Sequence, residues 1–318
     1  MDRVEIIKKW IKNQLNEDFI IEPASSDASF RRYFRVISNN KTYILMDAPP
    51  ELEKIDQFVK ITNKLIDAHI NAPELITHNK RLGLILMADF GSQTFLDVLS
   101  AENAHNLYPK AIDTLLIMQT KVDTEGLPHY TEELLIGEMK LFSEWYLKKS
   151  KKFKLDSNTL FEIFLLISEK ILIQNKYFVH RDYHSRNLMF IPEGAPGILD
   201  YQDALLGPIS YDLVSFLKDA YIEWDEDFIL DQSVRYWEKA KALGLVNNED
   251  FSSFYEDFEW MGVQRHLKIL GIFSRLSIRD HKDQYLKDIP LVEKYLMITT
   301  ERYRKLHPLR KILDKVIS

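Results

Sequence analysis

The sequence predicts an α+β chain in two parts, a small N-terminal β-sheet lobe over residues 1–90 and a larger, mainly helical lobe over 91–318. Three observations carry this. Short runs rich in aromatic and β-branched residues cluster before Ala88, separated by turn residues. From Gly91 onward apolar residues recur with helical spacing. One polar stretch followed by two short apolar segments, within 177–201, interrupts the helical texture.

Residues 19–21 read as the first strand. Residues 31–37 and 41–46 are strand-like runs separated by Ser38-Asn39-Asn40, and asparagine tolerates the positive φ that a tight hairpin needs. With Asn39 and Asn40 at the centre of the turn, Tyr33 faces Met46 and Ile44 faces Arg35. Pro49-Pro50 ends the third strand. Residues 52–69 carry apolar side chains at 52, 55, 58, 59, 61, 65 and 66, the pattern of an amphipathic helix. Residues 75–77 and 82–87 read as two strands around the polar turn 78–81. Beyond Gly91, helices are expected over 103–122, 132–149, 159–175, 213–221, 229–243 and 251–275. Residues 188–191 and 198–201 form a hairpin across the Pro- and Gly-rich turn 192–197.

Composition removes several classes of function. Hydrophobic residues are 46% and charged residues 28% of the 318, enough for a sizeable core. The net charge of −6 argues against a general binder of nucleic acid or of a membrane surface. There is no cysteine, which excludes disulfides, thiolate zinc sites and thiol nucleophiles. No apolar run exceeds five residues, as at 84–88, far short of the about 20 residues of a membrane helix. The start MDRVEIIKKW lacks the apolar stretch of a signal peptide, so a cytoplasmic protein is expected, as a monomer. None of the ten glycines stands in G-x-G spacing or before Lys-Ser or Lys-Thr, so the dinucleotide fingerprint and the Walker A loop are missing.

The chemistry is concentrated at Val179-His180-Arg181-Asp182-Tyr183-His184-Ser185-Arg186-Asn187, followed thirteen residues after Asn187 by Asp200. Phosphoryl transfer needs a carboxylate to orient an incoming hydroxyl and take its proton. It also needs oxygen ligands that hold Mg²⁺ against the phosphates. H-R-D-x₄-N followed by a hairpin and an aspartate supplies these types at that spacing. Two other readings are ordinary polar loop residues and a metal site made by His180, Asp182 and His184. The first is weakened by the joint match. The second lacks a further ligand cluster in the sequence.

On these residues the chain resembles the aminoglycoside phosphotransferase-like branch of the two-lobed protein-kinase-like fold. The resemblance extends through Ile198-Leu199-Asp200-Tyr201-Gln202-Asp203-Ala204 and Gly207-Pro208 to Tyr211-Asp212-Leu213. It is closest to the bacterial anomeric kinases of the cell-wall amino sugars N-acetylmuramate and N-acetylglucosamine. The segments that carry this are 26–35, 46–50, 180–189 and 264–273. The resemblance implies a kinase that uses ATP and Mg²⁺ on a small-molecule amino sugar, in cell-wall recycling. Another small-molecule acceptor, an aminoglycoside among them, is the alternative. A catalytically silent nucleotide-binding regulator is the other.

By the same resemblance Asp182 is the catalytic base, Asn187 and Asp200 hold the metal, and Asp212 accepts hydrogen bonds from the catalytic-loop backbone. The phosphate-covering loop falls on 26–31, including Ser26, Ser29 and Phe30, and it contains no glycine. Methionine, Met46, occupies the place of the usual strand lysine. Side chains alternate along a strand, so Arg31, Tyr33 and Met46 share a face, and Arg31 is expected to supply the missing cation, with Arg32 as the alternative. Adenine is expected to pair with the backbone at Met87-Ala88-Asp89. Asp89-Phe90-Gly91 precedes the catalytic loop and so reads as a hinge turn. His184, Arg186, Gln202, Asp203 and Arg265 are the acceptor-side candidates. Arg265 lies in a largely apolar helix, where it binds a substrate carboxylate or pairs with an internal acid such as Asp257.

Overall fold

The structure, a computed structural model, describes residues 2–26, 30–154, 157–247 and 250–317. The chain divides into two compact units. One comprises Met1–Val98 and Asn187–Asp203, the other Leu99–Arg186 and Ala204–Ser318.

The first unit begins with helix α1 (Arg3–Leu15) and continues into β1 (Ile20–Ser26), β2 (Arg32–Ser38) and β3 (Lys41–Asp47). Helix α2 (Asp56–Asp67), β4 (Leu75–Asn79), β5 (Leu84–Ala88) and the short α3 (Phe95–Val98) follow. The sheet is antiparallel throughout, in the order β1-β2-β3-β5-β4. The β2–β3 turn forms as the sequence predicts, with Asn39 and Asn40 at φ 46° and 61° and Tyr33 opposite Met46. One sheet face, with Val36, Leu45, Leu84 and Leu86, packs on Ile7, Trp10 and Ile11 of α1. Helix α2 starts later than its apolar pattern suggests. Residues 52 and 53 instead donate their amides to the Pro49 carbonyl in a turn.

The hairpin of Leu188–Met189 with Gly197–Ile198 belongs to this first unit. The sequence pattern places it within the helical lobe, with the boundary at 90. Strands of two residues leave backbone groups to satisfy elsewhere. The Ile198 amide bonds to the Asn71 carbonyl at 2.9 Å, and the Phe190 amide to the Gln93 carbonyl at 2.8 Å. Tyr201 then docks on α2, its ring 5.2 Å from that of Phe58 and its hydroxyl 2.9 Å from that of Thr62.

The second unit is mainly helical. Helices α4 (Ala104–Lys121), α5 (Glu132–Leu141), α6 (Ser157–Leu172) and α7 (Tyr211–Leu217) precede α8 (Glu226–Ala242) and α9 (Phe251–Asp280). Helices α10 (Ile289–Arg302) and α11 (His307–Leu313) close the chain. The helix expected over 132–149 changes pitch: Phe142–Ser150 is a π-helix. A pair of strands, Lys176–Val179 with Leu205–Pro208, brackets the catalytic loop. Their four-residue length and the Gly-Pro ending hid them in the sequence. No helix among the described residues is long and apolar enough to cross a membrane.

Helix α9 is the axis of this unit, and Gly271 is where it comes closest to its neighbour. A Cβ at 271 would lie 2.3 Å from the carbonyl carbon of Leu141. Gly271→Ala should therefore cost about 1–3 kcal/mol in urea unfolding, as overpacking does. Gly137→Ala, also within a helix but with nothing within 4 Å of the added carbon, should instead stabilise by up to about 1 kcal/mol. Equal effects of the two substitutions would contradict the packing described.

Candidate active site

The catalytic loop leaves strand Lys176–Val179 and is pinned at once by Asp212, in the first turn of α7. The buried Asp212 carboxylate accepts the amides of His180 at 2.6 Å and Arg181 at 3.0 Å. Arg181 has φ 78°, a conformation uncommon for a residue with a side chain. Its carbonyl accepts from Arg265 Nη1 at 2.7 Å, and its own guanidinium reaches Glu138 Oε1 at 2.5 Å. Three groups on three helices therefore fix one strained residue.

Asp182 follows. Its amide donates to His180 Nδ1 at 3.2 Å, so His180 acts as a structural acceptor. Its carboxylate stands 3.8 Å from Arg265 Nη2, with the side chain still 40% exposed. Burial opposes the charge of Asp182, but Lys268 and Arg265 outweigh it and hold the carboxyl well below its usual range. Lys268 is itself 3.0 Å from Glu138 and 3.1 Å from the Tyr211 hydroxyl. Glu138 is buried, yet Lys268 and Arg181 keep it ionised, down to about 2. Further along the loop, Ser185 donates its amide at 2.9 Å and its hydroxyl at 2.5 Å to the buried Asp219.

His184 packs edge-on to Tyr221, with ring centroids 5.4 Å apart, and Arg186 lies 3.6 Å over the face of that ring. Phe273 and Tyr285 extend the aromatic surface. A cavity of about 100 Å³ opens beside Asp182, Arg265 and Phe273. His184 and Arg265 thus line one cavity with Asp182, while Arg186 stacks on Tyr221. The internal acid that Arg265 meets is Asp182, since Asp257 pairs with Lys170 at 2.8 Å. Glu138, Lys268, Asp219, Tyr221 and Tyr285 were missed. A second cation three residues after Arg265 in an apolar helix, and Glu138 within LLIGEM, were the available signals.

In the first unit, Asn187 Nδ2 lies 3.3 Å from Asp200 Oδ2, and the Leu199 amide donates to the Asn187 carbonyl at 3.0 Å. Asp200 has φ 62°. Turned over, the Asn187 amide presents a carbonyl oxygen beside the carboxylate, a hard oxygen pair that suits Mg²⁺. Gln202 corrects the sequence reading: its buried amide donates to Asp200 Oδ1 at 2.8 Å, so it orients the carboxylate rather than facing an acceptor. Asp203 is exposed, 3.5 Å from the same amide. No three His, Asp or Glu side chains among the described residues form a metal cage, so the three-residue site at 180–184 is not built.

On the nucleotide side Tyr33 and Met46 are paired, and Arg31 immediately precedes β2. Arg32 is a correction. It lies on the sheet face opposite to Tyr33 and is engaged by Asp47 at 2.5 Å, a buried carboxylate shared with Arg3. Ser26 ends β1, Phe30 is exposed, and Ser29 lies outside the described residues. Met87 is buried in the sheet opposite Ile44 and Leu75. The Asp89 carboxylate takes Arg35 at 2.6 Å and the Gly91 amide at 2.8 Å, the turn that the sequence predicted.

An antiparallel five-stranded sheet unit and a helical unit, carrying H-R-D-x₄-N and a following aspartate, define a kinase-like phosphotransferase. The chain belongs to the phosphotransferase enzyme family, whose model matches residues 20–245. It is 43% identical to the N-acetylmuramate/N-acetylglucosamine kinase of Neisseria meningitidis, over 100% of this chain and 97% of that one. It is 40% identical to the kinase of the same name from Pseudomonas aeruginosa, over 98% and 96%. Among solved structures, a choline kinase from Streptococcus pneumoniae superposes with a TM-score of 0.67 at 13% identity, covering 93% of this chain and 99% of that one.

Burial pushes the Asp212 carboxyl up to about 7, against the two amides that favour its charge. The folded protein then holds a proton there that the unfolded chain releases near its ordinary 3.8. This contribution to stability is present at low pH and is lost as pH rises through about 4 to 7. Urea titrations of wild type and Asp212→Asn across this range should show the variant losing less stability with rising pH. Parallel curves would contradict a protonated Asp212.

Proposed function

We propose that the protein transfers the γ-phosphate of ATP to the anomeric hydroxyl of N-acetylmuramate and N-acetylglucosamine, in the cytoplasmic recovery of cell-wall sugars. The observation that carries this is the 43% identity with a kinase named for both sugars, over 100% of the chain.

In this reading Asp182 orients the sugar hydroxyl and accepts its proton as the new P–O bond forms. A carboxylate kept ionised by Lys268 and Arg265 suits a late proton transfer, because phosphoryl transfer needs little nucleophile activation before the transition state. Asn187 and Asp200 hold Mg²⁺, with Gln202 fixing the carboxylate. The bound ion supplies neutralisation of phosphate charge. Arg31 supplies the cation that the strand lysine provides in protein kinases, and its planar fork can take two phosphate oxygens. The backbone at 87–89 receives adenine. Only ten residues separate Asp200 from the start of α7, too few for the activation segment of a protein kinase.

The test is an ATP-consumption screen over amino sugars, aminoglycosides and choline, with NMR of each product. The two N-acetylated sugars should give anomeric phosphates, and Asp182→Asn should lower turnover about 10²–10⁴-fold with ATP affinity little changed. Turnover confined to aminoglycosides or choline would overturn the reading.

A further inference from the structure

We propose that the cavity beside Asp182 receives the N-acetyl group of the acceptor, and that Ile272 sets the length of acyl chain it admits. This rests on the anomeric-hydroxyl reading above.

Size is the first argument. The cavity measures about 100 Å³, well below the roughly 300–1,000 Å³ of pockets that enclose a whole small molecule. A pyranose ring with its hydroxyls does not fit. One small substituent of four heavy atoms, such as acetamido, does.

Polarity is the second. The lining combines the cations Arg265 and Lys268 and the carboxylates Asp182 and Asp219 with the apolar Ala220, Ile272 and Phe273. An acetamido group carries one carbonyl oxygen to accept from a cation and one methyl to bury against apolar carbon. A bare hydroxyl would leave the apolar wall uncovered.

Connectivity is the third. The anomeric hydroxyl and the C2 substituent sit on adjacent ring carbons. When Asp182 takes the proton from the C1 hydroxyl, the C2 group must lie close to Asp182, and Asp182 itself lines this cavity. The lactyl ether of muramate, on C3, is one carbon farther from the reacting oxygen. The cavity therefore reads the group that both named sugars share.

The experiment compares kcat/KM for glucose, N-acetylglucosamine, N-propionylglucosamine and N-butanoylglucosamine in wild type, Ile272→Ala and Ile272→Phe. Ile272 is only half-buried, so both variants have room to fold. In wild type each methylene beyond acetyl should cost about 10–200-fold. Ile272→Ala should raise the N-propionyl to N-acetyl ratio by at least about 10-fold, and Ile272→Phe should lower the N-acetyl to glucose ratio. An unchanged acyl-length ranking in both folded variants, with product phosphate still on C1, overturns the cavity assignment alone. Phosphate on another carbon, or no sugar turnover, overturns the anomeric reading and the assignment with it.

Discussion

Arg181 is held in a left-handed conformation from three directions, and the catalytic loop depends on that clamp. Asp212 takes its amide, Arg265 its carbonyl, and Glu138 its side chain. A residue with a Cβ persists at φ 78° only where its surroundings over-determine it. The reward is the placement of the next residue, Asp182. The same cations that brace the loop also set the charge of Asp182, so geometry and electrostatics come from one buried cluster. Such clusters are costly in desolvation and collapse when one partner is removed.

The first unit repeats the device on a smaller scale. Asp200 also adopts a positive φ, and Gln202 and Asn187 fix its carboxylate from either side. The hairpin that carries these residues is too short to stand alone. It borrows backbone partners at Asn71 and Gln93 and an aromatic seat on α2. In both places a polar side chain that the sequence offered for substrate, Arg265 or Gln202, is spent at least partly on holding another side chain.

What the sequence revealed follows from the range of the interactions concerned. The β2–β3 register was legible because two adjacent asparagines determine the turn locally. Asp182, Asn187 and Asp200 were legible because one motif fixes their spacing. Asp212 was legible by resemblance. Glu138 and Lys268 meet from helices whose sequence separation is large, and nothing in either segment names its partner. Arg32, the alternative cation, pairs with Asp47, a cross-strand neighbour fifteen residues on that alternation along β2 alone does not reveal. The pitch change at Phe142–Ser150 leaves no periodic trace in the sequence.

Glu138 anchors the catalytic loop through Arg181 and Lys268. The most direct measurement is the turnover number of Glu138→Gln at saturating ATP and sugar. The substitution keeps the shape and removes the charge. Misplacement of Asp182 by a fraction of an ångström should lower kcat by about 10–100-fold while KM for ATP changes little. A folded Glu138→Gln protein with wild-type turnover would contradict the claim.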